Sequence, residues 1–136
     1  MAEQHPDSRK SLQDQGYTLA TRQIVMYPDL NAAGRLFGGQ MLSWMDEATA
    51  LVAMDVMRVK RVVTKKFGEV VFDGPGMLGD IVEIWCKPTR EGRSSLTLGC
   101  EVVGIRESRD PVPICHSTVV YVALDAEGRP TPWKDS

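Results

Sequence analysis

Residues Gln40–Val59, QMLSWMDEATALVAMDVMRV, contain neither glycine nor proline and are rich in Ala, Leu and Met, which predicts one long helix. At about 100° per residue, Gln40, Ser43, Glu47, Asp55 and Arg58 gather on one side and Leu42, Met45, Ala48, Val52, Ala53, Val56 and Met57 on the other. Asp46 falls inside the apolar arc, where the small residues Ala50 and Ala53 leave room beside its carboxylate. A helix apolar over more than half its circumference needs a sheet on one side and a partner on another.

The chain on either side supplies the sheet. Upstream, PDLNAAGRLFGG (residues 28–39) holds Pro, Asp, Asn and three glycines, which is loop chemistry. Before it, YTLATRQIVM (Tyr17–Met26) is rich in β-branched and aromatic residues and is stopped by Pro28, the pattern of a short strand. Downstream, Val62–Phe72, Asp80–Lys87, Ser94–Ile105 and Ile114–Leu124 predict four more strands. Their links GPGMLG, PTREG and RESRDP are short and contain no helix, so neighbouring strands run antiparallel. The expected fold is α+β, a five-stranded antiparallel sheet around one long helix. Residues 1–15 are nearly devoid of apolar side chains and are expected to form a flexible tail, 16–130 the domain and 131–136 a second tail.

A chain of 136 residues builds one core of useful size and not two. Its 16 basic and 18 acidic residues give a net charge of −2 without a basic block, which argues against nucleic acid as a partner. The longest nearly apolar stretch, Ala48–Met57, is far shorter than the roughly 20 residues that cross a bilayer. The N-terminus is polar and lacks the apolar segment of a secretory signal, so no membrane partner and a cytoplasmic address are expected. Cys86, Cys100 and Cys115 have neither the number nor the spacing of a disulfide framework or zinc site, and read as buried small hydrophobes; no metal is expected.

An ionised carboxylate on a buried helix face is costly unless paired, hydrogen-bonded or solvated, so Asp46 is either functional or held by a structural partner. Gly38 and Gly39 stand where unpaired helix N–H groups can receive negative charge, and the absence of Cβ atoms lets a carbonyl approach; the alternative is a simple turn. Asn31 either orients a water or carbonyl through its amide or serves as a turn residue. The sequence contains no GxSxG elbow, Walker loop or GxGxxG fingerprint. Its only histidines are His5, in the tail, and His116, in a strand pattern that suits a structural imidazole.

Taken together, PDLNAAGRLFGGQMLSWMDEATALVA (Pro28–Ala53) closely resembles the signature of the hot-dog-fold acyl-CoA thioesterases, the YciA-like acyl-CoA hydrolases. The matching elements are Pro28, Asn31, Gly34, Phe37-Gly38-Gly39 and the Met45-Asp46 pair. Further likeness runs through Arg61–Thr64, Phe72, Pro75, Gly79-Asp80, Glu91–Val102 and Tyr121–Pro130. The resemblance implies a hot-dog fold whose protomers pair into one continuous sheet as a homodimer, with higher assemblies of dimers, a trimer of dimers among them, left open. It implies hydrolysis of an acyl-CoA thioester at the protomer interface, with Asp46 as general base or nucleophile, Asn31 contributed by the opposite chain and the Gly39 N–H at the oxyanion. Phe37, Gly38 and Thr64 would border the substrate, and Arg93, Ser94 and Ser95 would line the coenzyme A groove, with Arg90 and Lys87 nearby. Coenzyme A is then part of substrate and product, and no cofactor is implied. Two departures from the family pattern, Lys65-Lys66 and Asp73-Gly74, border the expected substrate region.

Other readings compete with hydrolysis. Dehydratase members of the fold use a histidine near the helix, and none occurs between His5 and His116. A non-catalytic acyl-CoA-binding domain would use the same groove but has no need of Asp46 on an apolar face. A purely structural homo-oligomer is the remaining reading.

Overall fold

The structure, a computed structural model, describes residues 8–107 and 110–134. In chain order the elements are α1 (Ser8–Asp14), β1 (Thr18–Ile24), a 3₁₀ turn (Tyr27–Asp29), α2 (Gly38–Met57), β2 (Val62–Phe67), β3 (Val71–Phe72), β4 (Ile81–Glu91), β5 (Ser95–Ile105) and β6 (Val112–Ala123). The strands form one antiparallel sheet in the order β1-β4-β5-β6-β2, with β3 also paired to β6. Val82, Ile84 and Cys86 of β4, Leu98, Cys100 and Val102 of β5, and Cys115, Val119 and Tyr121 of β6 bury their side chains in the two clusters that α2 joins. This is the alternation expected of a sheet with one face against a helix. All three cysteines are buried and unbridged, and burial pushes the Cys115 thiol up to about 11.

The stripe of α2 facing the sheet is rotated from the arc drawn on the sequence. Met41, Trp44 and Thr49 are buried together with Met45, Ala48, Ala53 and Met57, whereas Leu42 and Val56 are only partly covered and Leu51 is 54% exposed. A helix this apolar has more than one face able to meet a sheet, and packing rather than periodicity selects among them. No helix among the described residues is long and apolar enough to cross a membrane.

The sheet departs from the expected boundaries in two places. The segment Val62–Phe72 is divided, because Gly68 donates to Thr118 O at 2.7 Å and a Cβ at this position would stand 2.3 Å from Thr118 Oγ1. Only glycine fits so close an approach, and the chain resumes pairing beyond it as β3. Strand β4 continues past Lys87 to Glu91, carrying Pro88 through a register shift between Pro88 and Arg90.

Both expected tails are partly ordered. Ser8–Asp14 is helical, contrary to a flexible 1–15 segment, because its one leucine, Leu12, buries against Trp85 and Val103 on the sheet face turned away from α2. Burial of one such side chain is worth about 2 kcal/mol, and Lys87 Nζ adds a hydrogen bond to Gln15 O at 2.5 Å. Near the other end, Trp133 Nε1 donates to Gly92 O at 3.1 Å and Ser95 O at 3.0 Å, docking the segment on the β4–β5 turn. The Ser95 contact lies at the start of β5. Residues 1–7, including His5, and 135–136 lie outside the described residues.

His116 lies on the outer face, with Nδ1 2.8 Å from Asp73 Oδ2. That hydrogen bond raises the imidazole above its ordinary 6.5, against a smaller lowering by burial, with Glu101 and Glu69 also favouring the charged form. A folded value above the unfolded one contributes stability that is fully present below pH 6.5 and is lost as pH rises through the raised value. The Tm gap between wild type and His116→Gln is therefore expected to narrow between about pH 5.5 and about pH 8.5. A gap that widens with pH refutes the pairing.

Candidate active site

Asp46 stands on α2 between the buried Met45 and the exposed Glu47, and the sheet brings two hydroxyls to its carboxylate. Register pairs Thr64 of β2 with Tyr121 of β6, so both side chains face the helix. The Tyr121 hydroxyl is 2.7 Å from Asp46 Oδ1 and 2.7 Å from Asp46 O, and Thr64 Oγ1 donates to the same Oδ1 at 2.5 Å. Thr49, one helical turn on, places Oγ1 2.8 Å from the Tyr121 hydroxyl and 2.7 Å from Met45 O. Burial pushes the Tyr121 phenol up to about 12, so it remains protonated and acts as a donor. Both donors land on Oδ1. Among the described residues no hydrogen bond reaches Oδ2, which is left as an oriented acceptor.

Asn31 sits in the loop before α2. Its Oδ1 accepts from Ala33 N at 2.9 Å and Arg35 N at 3.1 Å, which spends the carbonyl end of the amide on the loop and leaves Nδ2 to donate outward. It lines a cavity of about 410 Å³ with Gly38, Met41, Phe72, Pro75 and Ile114. Phe37 is the uncapped N-cap of α2, and the first helical bond runs from Met41 N to Phe37 O. The Gly39 N–H therefore has no hydrogen bond among the described residues. A Cβ on Gly39 would meet the Phe37 ring at 2.6 Å, so this ring covers the glycine.

The expected residues thus fall into three groups. Asn31 and Gly38 share the cavity at the start of α2, whereas Phe37 and Gly39, the chain neighbours of Gly38, do not line it. Asp46 and Thr64 meet eight residues further along the helix, about 12 Å at 1.5 Å per residue, and do not line that cavity. Ser95 lines a separate groove of about 410 Å³ on the outer face with Arg90, Lys65, Lys66, Gly92 and Thr97. Arg93 and Ser94 do not line it, and their carbonyls accept from Trp133 N and Ala123 N. A register shift between Thr64 and Lys66 lets two consecutive lysines share the groove, although a regular strand would send them to opposite faces. Among the described residues no acidic side chain lines it.

Sequence reasoning missed Tyr121 and Thr49. A tyrosine in the middle of the apolar run VVYVA needs a partner for its hydroxyl, and Thr49 lies three residues from Asp46 on the same stripe.

A long helix held in a curved antiparallel sheet, with a carboxylate on its inner stripe and open amides at its start, is the arrangement of a hot-dog hydrolase. A model of the thioesterase superfamily matches residues 33–106. The chain is 30% identical over 118 residues to the acyl-CoA thioester hydrolase YciA of Salmonella typhimurium, covering 84% of this chain and 88% of that one. It superposes on the hexameric thioesterase y2039 from Yersinia pestis with a TM-score of 0.82 at 31% identity, covering 88% of this chain and 97% of the other. An acyl-CoA hydrolase from Staphylococcus aureus, solved with butyryl coenzyme A, coenzyme A and coenzyme A disulfide, gives 0.78 at 26% identity over 88% and 72% of the two chains. That protein has also been solved with an asparagine, and with an aspartate, changed to alanine. The chain belongs to the hot-dog-fold thioesterase superfamily and is a thioester hydrolase.

Proposed function

We infer that this protein hydrolyses acyl-CoA thioesters in a site shared between two protomers. The observation that carries the reading is Asp46, whose carboxylate is held through Oδ1 by Tyr121 and Thr64 while Oδ2 stays open. Asp46 Oδ2 acts as general base on water, or attacks directly as nucleophile. In the first case water adds to the thioester carbon, Asp46 takes its proton, and the Gly39 N–H with Asn31 Nδ2 receives the charge on oxygen. Collapse expels the coenzyme A thiolate, which recovers the proton and leaves the free acid. Coenzyme A enters and leaves with the substrate, so this reaction calls for no separate cofactor.

Sharing between protomers is supported by the separation of Asn31 from Asp46 within one chain and by two unpartnered surfaces. Leu51 leaves an apolar side of α2 exposed, and β2, at the end of the sheet, exposes Val63. Pairing of two β2 strands would extend the sheet across a dimer, and three such dimers would give the hexamer seen in the Yersinia pestis relative. Thr64 precedes Lys65 and Lys66 on that strand, so an acyl-CoA with its thioester near Asp46 can lay its phosphates in the basic groove.

Coenzyme A release measured over a panel of acyl chain lengths tests the activity. Turnover of at least one chain length is expected. Binding of acyl-CoA without any release would favour the non-catalytic binding domain. For the groove, Lys66→Ala combined with Arg90→Ala is expected to raise KM about tenfold, the scale of one lost charge-assisted hydrogen bond, with kcat little changed. Arg93→Ala is expected to raise it less. An unchanged KM in the double variant removes the phosphates from this groove.

A further inference from the structure

The segment that walls the Asn31 cavity is tied down by an ion pair between a buried carboxylate and a partly exposed arginine. Asp80 is 2% exposed, and Arg106 Nε lies 3.0 Å from each of its carboxylate oxygens. Each partner also holds backbone of the same loop: Asp80 Oδ2 accepts from Met77 N at 2.8 Å, and Arg106 Nη2 donates to Pro75 O. Between these two anchors lies Gly76, whose carbonyl accepts from Leu36 N at 2.8 Å. A Cβ on Gly76 would stand 2.8 Å from Leu36 Cβ, so the two loops are in close contact. Met77 bridges to Arg35, and Arg35 N donates to the Asn31 side-chain carbonyl.

A continuous chain of contacts thus runs from the ion pair to the Asn31 amide, and Pro75, Gly76 and Asn31 all line one cavity. Fold stability is a weak reason to retain a charge as buried as the Asp80 carboxylate, since well-packed apolar residues often serve the fold as well or better. What apolar residues do not supply is the pair of directed hydrogen bonds to Pro75 O and Met77 N. We propose that Asp80 and Arg106 are positioning residues for hydrolysis, setting the cavity wall and, through Met77 and Arg35, the orientation of the Asn31 amide without touching substrate. The proposal rests on the hydrolase reading above and adds residues to it.

Arg106→Gln removes the charge and the guanidinium fork. At saturating acyl-CoA its kcat is expected to fall about tenfold or more, as small misplacements of a positioned group do. Inhibition by free coenzyme A, bound in the basic groove, should stay within about twofold, a split that general loss of structure does not produce. The side-chain amide NMR signals of Asn31, assigned by their loss in Asn31→Ala, should shift. Arg106→Lys, which keeps the charge but cannot span Asp80 and Pro75 together, should fall between wild type and Arg106→Gln. It carries the same readouts if Arg106→Gln does not fold. A folded variant with wild-type kcat, or with unmoved Asn31 signals, overturns the clamp. Wild-type protein that releases no coenzyme A from any acyl-CoA overturns the hydrolase reading instead, while the amide signals still decide whether the pair positions Asn31.

Discussion

Replacing Asp46 by asparagine is expected to lower kcat by about 10²-fold or more while leaving the fold in place, the usual scale for losing a positioned acid–base group. Asparagine keeps the size of the side chain, and its carbonyl oxygen accepts from Tyr121 and Thr64 as Oδ1 does. What disappears is the basic oxygen at Oδ2, replaced by an NH₂ that neither takes a proton from water nor attacks a carbonyl. KM should change little, because the groove of Lys65, Lys66 and Arg90 is untouched. Steady-state kinetics with a circular dichroism control checks this. Near-normal turnover with a normal fold would leave Asp46 a structural carboxylate, held in place only to satisfy Tyr121.

Asp46 was legible because a charge stood out on an apolar helical arc, and α2 because twenty residues passed without a helix breaker. The partners of Asp46 were not, since Tyr121 reaches it across 75 residues of sequence and only the register of β2 on β6 places Thr64 beside them. The same limit applies to Lys65 and Lys66. As sequence they depart from the family pattern; their meaning depends on a register shift that turns both toward Arg90. The break at Gly68 is decided by Thr118, fifty residues on, and the order of α1 by Leu12 finding Trp85. Local pattern sets which residues want burial or a turn, whereas contacts between distant segments set where strands divide and which hydroxyl meets which carboxylate.

Mixing two inactive variants offers the sharpest check on where Asn31 acts. Asn31→Ala removes the Nδ2 donor and is expected to lower kcat, though by less than Asp46→Asn, because an orienting group transfers no proton. Suppose each site takes Asp46 from one chain and Asn31 from the other. A dimer of one Asp46→Asn and one Asn31→Ala protomer then has one site with both lesions and one site with none. Random association makes half the dimers mixed, so about a quarter of all sites are intact and activity should recover to about a quarter of wild type. The two chains, carrying different affinity tags, are co-expressed and the doubly tagged species purified, so that the expected value rises to about half for a free dimer and stays near a quarter for a trimer of dimers. If both residues served from the same chain, every site in the mixed dimer would carry one lesion and no recovery would occur. The separation of Asn31 from Asp46 along α2 within a single protomer is the reason recovery is the expected result.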